Sequence, residues 1–399
     1  MPKSPGPSCI YLDHHATTPM DPRVFEKMVP FFTHHFGNPS SAHHPFGWRA
    51  QEAINNARIA IAESINAHPT EIIFTSGATE ATNLAIKGLF LPEKTIDSKY
   101  IISSTIEHSA TLSSIRALEI LGIESKLIKP NALGLITPES LESALTQKPA
   151  LISLFVANHE LGTVNNIKYL GEIIKKNNIL FHVDATQALG KININCQELP
   201  IDMMSFSGHK IYGPKGVGAL YIRREIIHHV CPLIHGGGQE YCKRSGTLNV
   251  PAIVGFGEAV RLAVEEMPQE RPRIASLRDR LLNNLSSLDN IYINGCITNR
   301  VAGNLNISFG GIDGEELILS ICNQIAVSTG SACASSSTIS SPVLRELGID
   351  PELRQATLRF GVGRFNTSEE IDLASELIIK HVKAQRESKK FIKITRSKQ

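Results

Sequence analysis

Short β-branched runs alternate with longer amphipathic segments through the first two thirds of the chain, and this rhythm restricts the fold more than any other feature. The spacing predicts strands at Glu71–Thr75, Tyr100–Ser104, Leu151–Ala157, Ile179–Val183, Met203–Ser207 and Gly218–Ile222. It predicts helices at Phe46–Ile65, Glu80–Phe90, Ser109–Leu121 and Leu170–Lys176. Such alternation implies βαβ units and a mostly parallel sheet covered on both faces. The run LISLFVA from Leu151 has little polar alternation, as expected of a strand buried on both sides. At roughly 150 residues per domain, 399 residues make two or three domains. Hydrophobic residues at 42% and charged residues at 20% exclude a disordered, collagen-like or coiled-coil chain.

The texture changes after Val260. Helical patterns cover Glu258–Glu266 and Arg273–Leu288, strand-like pieces lie at Asn290–Asn294 and Asn304–Phe309, a helix starts at Asp313, and Thr357–Phe360 is strand-like. The Pro-rich stretch Pro268–Arg273 reads as a boundary between a large α/β domain and a smaller α+β domain. Lys380–Gln399 is basic and shows no clear apolar stripe, and Met1–Ser8 reads as a short tail without a signal-peptide core. No apolar run approaches the ~20 residues of a membrane span. A net charge of +2 makes no case for direct nucleic-acid binding. The seven cysteines (9, 196, 231, 242, 296, 322, 333) are scattered and never spaced C-x-x-C, the pattern of reduced thiols in a cytoplasmic protein. Adjacent histidines rarely share one metal, so the four His-His pairs predict no metal site.

Ligands of open α/β sheets bind at the carboxyl ends of the strands. The segments following five predicted strands are Ser76-Gly77-Ala78-Thr79, Thr105-Ile106-Glu107-His108, Asn158-His159-Glu160, Asp184-Ala185-Thr186-Gln187 and Gly208-His209-Lys210. A Gly with small hydroxyl residues at a helix start can bind an anion. Taken alone, it reads rather as an ordinary N-cap by Ser76 or Thr79. A lysine behind a strand, beside an anion pocket and an acid, suits a Schiff base to an aldehyde cofactor; taken alone, it is a solvated surface lysine. Pyridoxal phosphate needs a lysine, a phosphate site, a carboxylate for the pyridine nitrogen and a flat group over the ring. Lys210, the Thr79 and Ser207/His209 groups, Asp184 and His108 can supply these in turn.

SGATEATNLAIKG (76–88), HVDATQALGK (182–191), SFSGHKIYGPKGVGALY (205–221), RSGTLN (244–249) and STGSACAS (328–335) resemble the group I cysteine desulfurases. These are homodimeric fold-type I pyridoxal phosphate enzymes of the class V aminotransferase group. YLDHHATTP (11–19) and GNPSSAHHPFGW (37–48) resemble the family's N-terminal segment. The resemblance implies a fold-type I α/β transferase with residues 1–16 joining a small domain (263–399) and residues 17–262 forming the large cofactor-binding domain. It implies that Lys210 carries pyridoxal 5'-phosphate, Asp184 pairs with its ring nitrogen, and Gln187 donates to the ring oxygen. His108 would stack on the ring and move protons. Ala78, Thr79, Ser207 and His209 would cradle the phosphate, with Thr247 reaching the phosphate of the other subunit. Asn158 would contact cofactor and substrate, and Arg359 would hold the substrate carboxylate, a task suited to its planar fork.

Cys333 lies in Ser328–Pro342, where twelve of fifteen residues are Ser, Thr, Gly or Ala, which reads as a mobile loop. The resemblance makes Cys333 the thiolate that takes sulfur from L-cysteine, leaving L-alanine and a persulfide for an acceptor protein. The acceptor would be an iron–sulfur scaffold or a tRNA-thiolation carrier. The last residues, KKFIKITRSKQ, depart from the segment by which some family members dock a scaffold. The other six cysteines read as packing or surface thiols. A selenocysteine lyase or aminotransferase of the same fold is the alternative, and an inert scaffold would not require Lys210 and Asp184.

Overall fold

The computed structural model describes residues 9–91, 98–329 and 341–396, so Cys333 and most of its loop lie outside the described residues. A short strand β1 (Ile10–Tyr11) precedes helices α1 (Pro22–Met28), α2 (Pro30–Thr33) and α3 (Pro45–Ser64). Seven strands then build the main sheet: β2 (Ile72–Thr75), β3 (Tyr100–Ser104), β4 (Glu124–Ile128), β5 (Leu151–Phe155), β6 (Leu180–Asp184), β7 (Met203–Ser207) and β8 (Gly218–Ile222). Helices α4 (Ala78–Phe90), α5 (Ser109–Glu119), α6 (Pro138–Ala144) and α7 (Ile167–Lys176) connect the first five of them.

The sheet order is β2-β8-β7-β6-β5-β3-β4, with only β8 antiparallel to its neighbours. Every residue of β2, β3, β5, β7 and β8 is buried, because cores lie on both faces. One core joins Phe74, Phe181 and Phe206 to α3 and α7, and the other joins Ile73, Met203 and Leu220 to α4 and α5. Strand β4 escapes sequence reading for a physical reason. As the edge strand, ESKLI exposes Glu124 and Leu127 and has no apolar run.

Helix α8 (Val250–Leu285) runs straight through the stretch expected to be a boundary, with Pro268 and Pro272 inside it. Proline removes a backbone donor and clashes with the preceding turn. Both prolines are exposed here, so the freed carbonyls face water. The start of α8 packs in the first core through Ile253, Phe256 and Val260, and its end packs in a separate core through Leu277, Leu281 and Leu285. That core covers a four-stranded antiparallel sheet ordered β12-β13-β10-β9, made from β9 (Ile291–Ile293), β10 (Asn304–Phe309), β12 (Ser328–Thr329) and β13 (Thr357–Gly361). Around it lie α9 (Gly314–Ile321), β11 (Ile325–Ala326), α11 (Pro351–Gln355) and α12 (Ser368–Arg396), while α10 (Pro342–Glu346) packs through Val343 and Leu344 on Ile106, Phe155 and Leu161. The basic end of the chain continues α12 as far as Arg396. Ile371, Ala374, Ile378 and Val382 recur every three or four residues and are fully buried.

Residues Glu240, Tyr241 and Cys242 form a left-handed run with φ of 49°, 56° and 61°. For residues with a Cβ this costs on the order of 1–3 kcal/mol each. A buried ion pair holds the turn: Arg58 Nη2 meets Glu240 Oε1 at 2.6 Å, and Glu240 Oε2 accepts from Phe74 N at 2.7 Å. Removing the arginine strands a buried carboxylate, so Arg58→Ala should lose about 3–5 kcal/mol in urea denaturation. Arg58→Met combined with Glu240→Leu should lose less than Arg58→Ala alone. A single substitution as mild as the double one would show that the pair does not hold the turn.

Candidate active site

Five strand ends converge on one cleft of about 480 Å³. It opens at the carboxyl ends of the parallel strands, where the sheet order turns back between β3 and β5. Ala78, Thr79, His108, Asp184, Gln187, Ser207, His209, Lys210 and Arg359 all line it.

At one end stands the start of α4. Its N-cap is Gly77, and no side chain caps the helix, so the expected Ser76 or Thr79 cap does not form. The uncapped amides and the helix dipole face the cleft. Gly218 makes room for this turn, since a Cβ there would lie 2.6 Å from Gly77 Cα. Glu80 Oε2 accepts from Ser76 N at 2.7 Å and Glu80 Oε1 accepts from Arg244 Nε at 2.9 Å, fixing the turn to the segment that leads to Thr247.

Asp184 ends β6 and is 8% exposed, with Oδ1 accepting from Thr186 N at 2.9 Å. Two residues earlier on the same face, His182 is clamped between Ser153 Oγ and Ser205 Oγ, each at 2.8 Å. Burial pushes His182 down to about 4 against the attraction of Asp184, so this seam is neutral. Lys210 lies in the helical turn after β7, its Nζ donating to the carbonyls of His15 and Ala16 at 2.6 and 2.7 Å. His209, pushed down to about 4 mainly by burial, pairs with Thr17 Oγ1 at 3.1 Å. Gln187 is held by His15, donating Nε2–H to its carbonyl at 2.9 Å.

His108 caps α5 by accepting from Ala110 N on Nδ1 at 3.1 Å, which leaves Nε2 as its protonated nitrogen when neutral. His159 meets it edge-on, with ring centroids 5.1 Å apart. His159 is held well below the usual imidazole range by burial, then by His108, Arg359 and Lys210. Arg359 on β13 is 4% exposed, which removes the surface ion-pair reading. Its guanidinium donates to His159 O at 3.0 Å, Asp13 Oδ1 at 2.9 Å and Ser328 Oγ at 3.0 Å, while Nε has no partner among the described residues.

Two expected site residues, Asn158 and Thr247, do not line this cleft. Asn158 is buried beside it: Nδ2 donates to Ile106 O at 2.9 Å, and Oδ1 accepts from Glu160 N and Leu161 N at 3.0 Å each. Its amide shapes the turn after β5 rather than facing the cavity. Thr247 is exposed, outside the cleft of its own chain. Cys333 falls outside the described residues. Sequence reading missed His15, whose place beside Gln187 and Lys210 comes from a contact 172 residues away in sequence. The other six cysteines are free, with Cys196 and Cys296 buried and Cys9, Cys242 and Cys322 exposed.

The donor set suits an anionic ligand carrying an aldehyde: an uncapped helix start, a lysine amine, an aspartate opposite it, and a buried guanidinium. The fold and site thus define a cofactor-dependent transferase of the α/β class. The aminotransferase class-V family model matches residues 10–373. A cysteine desulfurase IscS of Methylobacillus flagellatus is 50% identical over 92% of this chain and 91% of its own. One from Pseudomonas aeruginosa is 50% identical over 95% and 94%. Among solved structures, a NifS-like protein matches with TM-score 0.88 and 36% identity over 94% of this chain and 100% of its own. A structure described as SspA in complex with cysteine matches with TM-score 0.79 and 36% identity over 90% and 99%. The chain belongs to the class-V aminotransferase family, among its group I cysteine desulfurases. Among the described residues, no helix is long and apolar enough to cross a membrane.

Glu107, beside this site, gives a stability test. Its Oε1 accepts from Phe155 N at 3.1 Å, while buried Oε2 has no partner among the described residues. Burial, then the Asp184 charge, push Glu107 well above the usual carboxylate range. The folded chain therefore keeps a proton that the unfolded chain releases above about pH 4.3. Stability should fall with rising pH between these two values, by up to about 1.4 kcal/mol per unit. Glu107→Gln mimics the protonated acid, so it should remove this decline and be more stable than the parent at pH 8. Parallel pH–stability curves would show that Glu107 is ionised in the fold.

Proposed function

We propose that this protein is a pyridoxal phosphate-dependent cysteine desulfurase. It converts L-cysteine to L-alanine and delivers the sulfur through Cys333. The observation that carries the reading is the placement of Lys210 and Asp184 at neighbouring strand ends of one cleft, between an uncapped helix start and buried Arg359. When bound, pyridoxal phosphate supplies an electron sink for the pair released at the substrate Cα.

The chain's own residues do the rest. Ala78, Thr79, Ser207 and His209 would hold the phosphate, Asp184 the ring nitrogen, Gln187 the ring oxygen, and His108 one ring face. Lys210 would hold the aldehyde and, once displaced by substrate, take the Cα proton. Arg359 would receive the substrate carboxylate in exchange for Asp13, gaining a planar two-bond contact. Asn158 would support the same pocket through the turn it shapes.

Cys333 as thiolate would attack the substrate sulfur. The carbon–sulfur bond would break with its electron pair left on the carbon, and one proton on that carbon together with return of the Cα proton from Lys210 would complete alanine. The new sulfur–sulfur bond leaves a persulfide on Cys333. An acceptor protein, an iron–sulfur scaffold or a tRNA-thiolation carrier, then takes the outer sulfur. Because Thr247 is exposed on its own chain, it is free to complete a partner's phosphate site, so the working unit would be a homodimer. Six unpaired cysteines fit a reducing, cytoplasmic setting.

Lys210→Ala should abolish both turnover and the visible absorbance of the loaded protein. A yellow, active variant would remove the cofactor assignment. Asp184→Ala should cost roughly 3 kcal/mol in kcat, the scale of other electrostatic catalytic groups. Cys333→Ser should still change colour on adding L-cysteine, because the thiol takes no part in binding. Its release of alanine and sulfide should stop, since a hydroxyl is a far weaker nucleophile toward sulfur. Alanine formed at the parent rate would show that another thiol, or direct sulfide release, serves instead.

A further inference from the structure

Glu80 places a carboxylate where the cleft is built for an anion. It lies in the first turn of α4, whose start carries no side-chain cap, and it lines the cleft beside Ser76, Gly77, Ala78 and Thr79. Ser207 shares this wall, since a Cβ on Gly77 would lie 3.9 Å from Ser207 Oγ. A carboxylate and an incoming anion are drawn to the same helix dipole and repel each other. A phosphate site that contains an ionised glutamate therefore needs that charge cancelled.

Arg244 is placed to cancel it. Among the described residues Glu80 forms one ion pair, in which Arg244 Nε meets Oε1 at 2.9 Å. Arg244 Nη2 also donates to Oε2 at 3.4 Å, so the guanidinium covers both carboxylate oxygens. Oε2 accepts in addition from Ser76 N at 2.7 Å, which holds the carboxylate on the turn before the helix. Side-chain exposures of 22% for Arg244 and 16% for Glu80 separate this pair from solvated surface bridges. Burial pushes Glu80 up, but the bonds from Arg244 and Ser76 outweigh it and hold Glu80 below the usual carboxylate range. Glu80 is thus ionised at neutral pH. Arg244 is not among the residues that line the cleft, so it acts there through Glu80.

We propose that Arg244 is a positioning residue for the phosphate site: it neutralises Glu80 and pins that carboxylate to the turn, leaving the start of α4 to an anionic group of the ligand. This deepens the proposed function and rests on the start of α4 being the phosphate site. Arg244 also stands three residues before Thr247 in the chain. A pair in this place can be a plain tether between α4 and the Thr247 segment, and charge separates the two roles. A tether fails whichever end is cut. A neutralising cation is needed only while the carboxylate is there.

The test uses the full chain freed of cofactor, titrated at neutral pH with pyridoxal phosphate and with pyridoxal, which lacks the phosphate. The visible absorbance of the bond to Lys210 reads both. Arg244→Gln should weaken pyridoxal phosphate roughly tenfold or more and leave pyridoxal within about twofold, because a bare carboxylate then faces the phosphate at short range. Arg244→Lys, which keeps the charge, should lose less than Arg244→Gln. Glu80→Gln should bind pyridoxal phosphate at least as tightly as the parent. Glu80→Gln combined with Arg244→Gln should recover most of the affinity that Arg244→Gln loses. An Arg244→Gln chain that binds both compounds as the parent does overturns the inference. So does a loss shared equally by the two compounds, or a Glu80→Gln chain as weak as Arg244→Gln. A parent chain with no preference for pyridoxal phosphate over pyridoxal removes the phosphate site itself, a failure told apart because it shows without any variant.

Discussion

The geometry of the site hangs on a nine-residue strap, Ile10–Thr18, that is hydrogen-bonded to both bodies of the protein. At its start β1 pairs with β11, Ile10 N donating to Gln324 O at 2.8 Å and Leu12 N to Ala326 O at 2.9 Å. Midway, Gly361 N donates to Leu12 O at 2.6 Å, and Asp13 meets Arg359 at 2.9 Å. At its end Thr18 N and Oγ1 both donate to His209 O, and Thr18 Oγ1 accepts from Tyr212 N at 2.8 Å. The carbonyls of His15 and Ala16 between these anchors receive Lys210. One strap thus sets the distance between Arg359, on the small sheet, and Lys210, on the large one. Backbone carbonyls do this well, because they cannot ionise and are fixed by the pairing on either side.

Helix α8 gives the same two bodies a rigid second connection. Its ends lie in different cores, and between them an ion cluster ties the surface together. Arg364 meets Asp21 and Glu270 at 2.7 Å each and lies over the Tyr212 ring at 4.5 Å. Removing one member would strand a buried charge, which is why such clusters fix geometry more than they add stability. Tyr212 follows Lys210 closely in the chain, so the cluster also braces the turn that carries the lysine.

Much of this was legible in the sequence where the residues obey a local rule. Tyr100–Ser104, Met203–Ser207 and Gly218–Ile222 stand where their apolar runs placed them, because strands buried on both faces carry an undiluted signal. The edge strand β4 was not legible, because an exposed strand is polar and carries no apolar run. Pro268 and Pro272 carry a strong local rule, yet their exposure lets one helix run through the stretch where packing passes from the first core to the second. In the site, Lys210, Asp184 and His108 were visible as strand-end residues. His15 and Asp13 were not, since only the fold brings residues near the N-terminus against Gln187 and Arg359. Asn158 was visible as polar, yet its amide is spent on the backbone, a distinction that needs coordinates.

The same bonds explain why a cleft able to bind an amino acid would be joined to a separate nucleophile. The described residues flanking the cysteine segment are both tied to the site. Ser328 Oγ accepts from Arg359 at 3.0 Å, and Ser341 Oγ bonds to the buried Glu160 carboxylate. Glu160 adjoins His159, whose ring stands edge-on to His108 and whose carbonyl accepts from Arg359. The segment bearing Cys333 therefore begins and ends on residues that share partners with the proposed substrate-carboxylate site. A carboxylate drawing Arg359 away from Asp13 and Ser328 would loosen one of these ties while leaving the other. Under the proposed function, a substrate carboxylate at Arg359 would therefore be felt at Ser328, because the fixed fork of one guanidinium can satisfy only a few acceptors at once.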